Sequence, residues 1–116
     1  MSAHALVQSA LDAHAGLAAL VGTRIRADLA RPDDDLPFVV FKRADLDIVA
    51  GMDGSLLGQA ETFEVECWGA RRSEAVNVAE QTILALAAAH LTPEKGSPDG
   101  IDPEQLDRVV VLTVFI

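Results

Sequence analysis

Glu64 and Glu66 are the residues of this 116-residue chain whose type and spacing come nearest to acid–base chemistry. One residue apart in T-F-E-V-E-C-W-G, they fall on the same face of an extended strand at roughly 7 Å, loosely like the carboxylate pair of a glycosidase. Alternation along a strand with one wet face produces that spacing without any catalytic purpose, so the pair reads as a solvent or lumen face. His4, His14 and His90 offer imidazoles for a metal, but His4 and His14 would stand about 15 Å apart along one helix. No H-x-x-x-H or C-x-x-C spacing occurs. Cys67 is the single cysteine and sits on the apolar phase of its strand, where it reads as a small buried hydrophobe. Ser9, Ser55, Ser73 and Ser97 lack a G-x-S-x-G setting. Gly51-Met52-Asp53-Gly54-Ser55 precedes no amphipathic helix, and Asp53 would repel a phosphate. The expectation is no catalytic, cofactor-binding or metal-binding residue.

Composition points the same way. The 18 acidic residues outnumber the 9 basic ones, for a net charge of −9. The basic residues are scattered as Arg24/Arg26, Lys42/Arg43 and Arg71/Arg72, which disfavours stable nucleic-acid binding. An acidic wall would instead let DNA pass without sticking. Half of the residues are apolar and mean hydropathy is +0.25, yet there are only four Phe, one Trp and no Tyr. The core must therefore be built from Ala, Val, Leu and Ile, and a small domain this apolar often covers part of its surface with another subunit. The length suits one domain spanning residues 1–116. The N-terminus lacks the pattern of a signal peptide and no run of about 18 apolar residues occurs, so a soluble, intracellular chain is expected.

These residues must be positioned by a small set of elements. Ser2 is a candidate cap for a first helix, with an apolar face of Leu6, Val7, Ala10, Leu11, Leu17 and Val21 that Gly16 breaks in two and Gly22 ends. Thr23–Ala27 reads as extended, and the Asp33–Asp35 run as a solvated turn. Pro37 opens a strand at Phe38–Arg43, where Phe38/Val40 and Val39/Phe41 make both faces apolar; one must take a helix, and the other is a candidate subunit contact. Residues 44–59 form a long hairpin connection or mobile arm that is unusually apolar for a free loop, which suggests docking on a neighbour. Phe63, Val65 and Cys67 alternate with Glu64, Glu66 and Trp68 in a further strand. Ser73 is the expected cap of a second helix running to His90, with Val76, Ala79, Ile83, Leu86 and Ala87 at helical spacing. Thr92–Gln105 holds too many breakers for a regular element, and Asp107–Ile116 reads as a closing strand that lies centrally in the sheet or uses one face for another subunit. The expected fold is α+β, a mostly antiparallel sheet of about four strands packed by two main helices, in the order α-β-β-β-α-β. Trp68 is either a lid over the edge of the second helix or an interface anchor, and Arg71 and Arg72 read as a solvated helix start or as partners for a neighbour's carboxylates.

The order of L-V-G-T-R-I at Leu20–Ile25, D-L-P-F-V-V-F at Asp35–Phe41, a glycine-bearing gap and T-F-E-V-E-C-W-G at Thr62–Gly69, then a helix and an apolar terminal strand, resembles the phage tail-completion, or head-to-tail joining, family of long-tailed phages and prophages. The family is also called tail-terminator-like. The resemblance covers nearly the whole chain. It implies a small structural α+β protein without catalytic residues or cofactors. Such proteins form a homo-oligomeric ring, of six subunits by expectation, at the head-proximal end of the tail, with tail tube and head connector proteins as partners. It implies residence in the host cytoplasm during assembly and then in the virion tail, and brings no membrane partner. The subunit contacts are expected at Phe38, Val39, Phe41, Ile48, Val49, Met52, Leu56, Leu57, Trp68, Arg71 and Arg72. A rival reading is a small dimeric ligand-binding or regulatory module, with a cavity between the second helix and the sheet, the 44–59 arm as lid and Trp68 as wall.

Overall fold

The computed structural model describes residues 3–29, 31, 34–93, 95–97 and 109–116. Their elements run α1 (Ala3–Asp12), α2 (Ala15–Val21), β1 (Ile25–Ala27), β2 (Phe38–Ala50), β3 (Leu56–Trp68), α3 (Arg72–Ala88), β4 (Lys95–Ser97) and β5 (Val109–Phe115). The fold is α+β, and the five strands form one sheet in the order β1-β2-β3-β5-β4. Only the β1–β2 pair is parallel; the others are antiparallel.

The first helical segment breaks at His14, which takes an extended conformation (φ −95°, ψ 111°) and precedes α2. Its imidazole Nε2 lies 2.9 Å from Gln81 Oε1, tying the break to α3. Gly22 then ends α2 at φ +60°, a value glycine adopts without a Cβ clash. The expected Ser2 cap lies outside the described residues.

One face of the sheet carries the helices. Val39 and Phe41 from β2, Phe63, Val65 and Cys67 from β3, and Leu112 and Val114 from β5 meet Val7, Leu11, Leu17, Val21, Val78 and Leu86 in a single apolar cluster. The stripe that α3 buries is Ala75, Val78, Ala79, Thr82, Ala85 and Leu86. It is turned by about one residue from the expected stripe, because small side chains let the helix lie close to the sheet, and Ile83 is left 37% exposed. Thr82 resolves its own polarity by donating to the Val78 carbonyl at 2.8 Å.

Residue 71, rather than Ser73, is the cap of α3. Arg71 has no side-chain cap bond, and Glu74 Oε1 instead accepts the Ala70 N–H at 2.9 Å. Gly69 makes this turn fit: a Cβ there would lie 2.6 Å from Ala75 N and 2.9 Å from Glu74 Cβ. The closing strand lies inside the sheet, between β3 and β4. The Thr92–Gln105 stretch, expected to hold no regular element, contributes β4, whose Lys95, Gly96 and Ser97 pair with Thr113, Leu112 and Val111. A three-residue edge strand needs no apolar alternation, so hydrophobic pattern does not betray it.

Candidate subunit-contact surface

The expected arm is regular structure. β2 and β3 are each 13 residues long and pair from Phe38↔Trp68 to Ala50↔Leu56. At 3.3 Å per residue each strand spans about 43 Å, most of the molecule's 52 Å longest dimension. β1 pairs only with Val39–Phe41 of β2, and β5 reaches β3 only as far as Thr62, with Ile116 adding two backbone bonds to Glu61. Beyond these points the chain is a two-stranded ribbon, closed by a turn in which Asp53 Oδ1 accepts both the N–H (3.0 Å) and the hydroxyl (2.6 Å) of Ser55.

Among the described residues, the ribbon carries most of the strongly exposed aliphatic side chains, Leu29 and Leu84 being the others above half exposure. Ile48, Val49, Met52, Leu56 and Leu57 are between 51% and 109% exposed. A register shift between Arg43 and Asp45 moves the next residues onto opposite faces from those that strict alternation would give. Asp45, Asp47 and Val49 therefore fall on one face of the ribbon, and Leu46 and Ile48 on the other.

The sheet face away from the helices holds a second feature. Phe38 and Trp68 stack with ring centroids 5.9 Å apart. The Trp68 Nε1–H donates to Glu66 Oε1 at 3.0 Å, while Lys42 Nζ lies 2.8 Å from Glu66 Oε2. That carboxylate, with Glu64 nearby, holds the Lys42 ammonium above its ordinary pKa, hydrogen bonding being the larger cause. Together with Asp28 and Leu29 these residues line a cleft of ≈ 190 Å³.

Several expectations change here. Val39 and Phe41, expected at a subunit contact, are 0% and 1% exposed beneath the helices and have no surface to offer. Glu66 is no freely solvated face residue: it is 9% exposed and held by Lys42 and Trp68, whereas Glu64 is half-buried beside Lys42 in the register. Trp68 lies on the face opposite α3, so it is neither a lid on that helix nor a wall of any cavity beneath it. The space between α3 and the sheet is packed by Val78, Leu86, Phe63 and Val65, all 0% exposed. The run at Asp33–Asp35 is not wholly solvated either, since Asp34 receives two bonds from Arg26 (3.0 and 3.2 Å) and one from the Arg31 N–H.

Arg71 and Arg72 are exposed, just past Trp68 at the end of β3 opposite the ribbon tip. Lys42 and Leu29 escape sequence reasoning. Lys42 could have been found only from the β2–β3 register, which sets it opposite Glu64 and two pairs along the ladder, on the same face, from Glu66.

As to metal or membrane roles, no group of three His, Cys, Asp or Glu among the described residues is placed to hold an ion, and no described helix is long and apolar enough to cross a membrane. Cys67 is fully buried, its Sγ donating to Thr82 Oγ1 at 3.6 Å, and burial pushes the thiol up to about 12.

The family model of tail completion protein gp17 matches residues 5–113. The chain belongs to that tail completion family. The match takes in α1 through most of β5 and includes both the ribbon and the outer cleft. A chain in the solved structure "Virion of native gene transfer agent (GTA) particle" has the same fold, with a TM-score of 0.60 and 19% identity over 98% of this chain and 91% of that one. No curated protein matches the sequence.

Proposed function

We propose that this protein is a structural part of a phage-type tail, forming a homo-oligomeric ring at the head-proximal end that terminates the tail tube and receives the head connector. The observation that carries this reading is the ribbon: in a chain of the tail completion family, five strongly exposed apolar residues, Ile48, Val49, Met52, Leu56 and Leu57, share a projection that the core does not cover. Such a projection gains by burial against another chain. A ring of six is the working stoichiometry. The net charge of −9 suits a passage through which DNA slides without adhering. No catalytic step is assigned to the protein. It would be made in the host cytoplasm and end in the virion tail.

The test is to mix purified protein with tail tubes lacking their terminal ring and to image the ends by electron microscopy, alongside light scattering of the protein alone. Annular caps on one end of the tubes, and tubes that stop growing, are the expected result. Uncapped tubes that keep polymerising in the presence of excess protein overturn the proposal.

A further inference from the structure

Two exposed features of this chain, the ribbon tip and the outer cleft, lie at opposite ends of one pair of strands. β3 begins at the ribbon tip with Leu56 and ends at the outer cleft with Trp68, about 40 Å away. Within a single chain the two cannot meet.

Their chemistry is complementary. No Lys or Arg occurs between residues 44 and 70, so Asp45, Asp47 and Asp53 give the ribbon an apolar and purely acidic surface, with Glu61 at its root 3.8 Å from Arg43. The cleft end offers Leu29, 79% exposed, beside the Phe38–Trp68 stack, with Arg71 and Arg72 just beyond. Two carboxylates also face the cleft. Glu66 is already neutralised by Lys42, and Asp28 lies 3.8 Å from His4.

We infer that the ribbon of one copy seats its apolar tip against Leu29 and Trp68 of the next copy, with Asp45 and Asp47 directed toward that copy's Arg71 and Arg72. This rests on the ring reading and names the contact that would build it. A contact between different ends of identical chains is heterologous, and repeats until a ring closes or a filament grows. The five exposed ribbon aliphatics offer on the order of 300–600 Å², less than the roughly 800 Å² a side of a standard stable interface. One contact is therefore weak, and closure, in which every chain is held twice, supplies the rest.

The experiment uses cysteine pairs, with the fully buried Cys67 giving no background. Met52→Cys and Leu29→Cys proteins are prepared separately, assembled as a mixture on tail tubes, oxidised briefly and resolved without reductant. The expected product is the mixed dimer, formed roughly a hundredfold faster than at the same protein concentration without tubes. A control pairing Met52→Cys with Leu84→Cys on α3 should stay at the background rate. Dimers of Met52→Cys with itself would mean tip-to-tip contact and overturn the inference. Caps that form without the mixed product overturn it while leaving the ring reading standing; the absence of caps overturns both. As a second variant set, Asp45→Arg/Asp47→Arg and Arg71→Glu/Arg72→Glu should each lose capping, and mixing the two should restore the contact between them. Failure of that rescue, with both proteins folded, also counts against the pairing.

Discussion

Gly69→Ala tests how the outer face is held in register with α3. The missing Cβ would sit 2.6 Å from the Ala75 backbone nitrogen, 2.9 Å from Glu74 Cβ and 3.0 Å from the Glu74 carbonyl carbon. All three belong to the first turn of α3, so no flexible side-chain end can swing aside. Either the helix start moves off the sheet or the Trp68–Ala70 backbone shifts outward. Overpacking of this kind costs about 1–3 kcal/mol. At roughly 4 °C per kcal/mol for a chain of this length, Tm should fall by roughly 4–12 °C. The assay is thermal unfolding followed by circular dichroism. Trp68 fluorescence is read in parallel, because this is the only tryptophan and it lies one residue from the change. Gly58→Ala is the control: nothing lies within 4 Å of its added Cβ, and its backbone is outside the positive-φ region. That variant should keep its Tm or gain about 0.4–1 kcal/mol through the unfolded chain. A Gly69→Ala protein melting within about 1 °C of the parent would refute the claim that this contact pins the start of α3.

The ribbon residues should be separable from folding: Met52→Asp/Leu57→Asp should change stability by less than about 0.5 kcal/mol in denaturant titration while abolishing capping of tail tubes. Cys67 should resist thiol reagents at pH 8 in the folded protein and label only as fast as the chain opens; complete labelling within seconds under native conditions contradicts its burial. The side-chain bonds from Arg26, with the Arg31 N–H assisting, hold the Asp34 carboxyl below its ordinary 3.8. Its contribution is complete above that value and disappears as pH falls through the lower folded value, so below about pH 4 the parent should lose stability more steeply than Asp34→Asn.

The faces of β3 were legible because a period of two leaves little choice: Phe63, Val65 and Cys67 had to be covered, and they are. β2 offered no such guidance, since apolar residues alternate with apolar residues from Phe38 to Phe41. Only the packed structure shows that Val39 and Phe41 take the helices. The ribbon hid as loop because Gly51, Gly54 and Gly58 are turn signals, and because the register shift after Arg43 breaks the alternation that marks a strand. α3 was found, but Ala and Thr carry little hydrophobic weight, so its buried stripe was displaced toward the larger Val76 and Ile83. The cleft was the least accessible part. Trp68 and Glu66 could be placed on one face from sequence alone, but Phe38 and Lys42 become their neighbours only through cross-strand register, which is set from a turn that ends thirteen residues before Trp68.

The ribbon extends past every strand and helix that stabilises the core, so its length is uncoupled from the fold. Removing two residues from each strand beside the turn preserves which side chains share a face, and shortens the projection by about 7 Å. Reach can therefore be altered in fixed steps without repacking a single core residue.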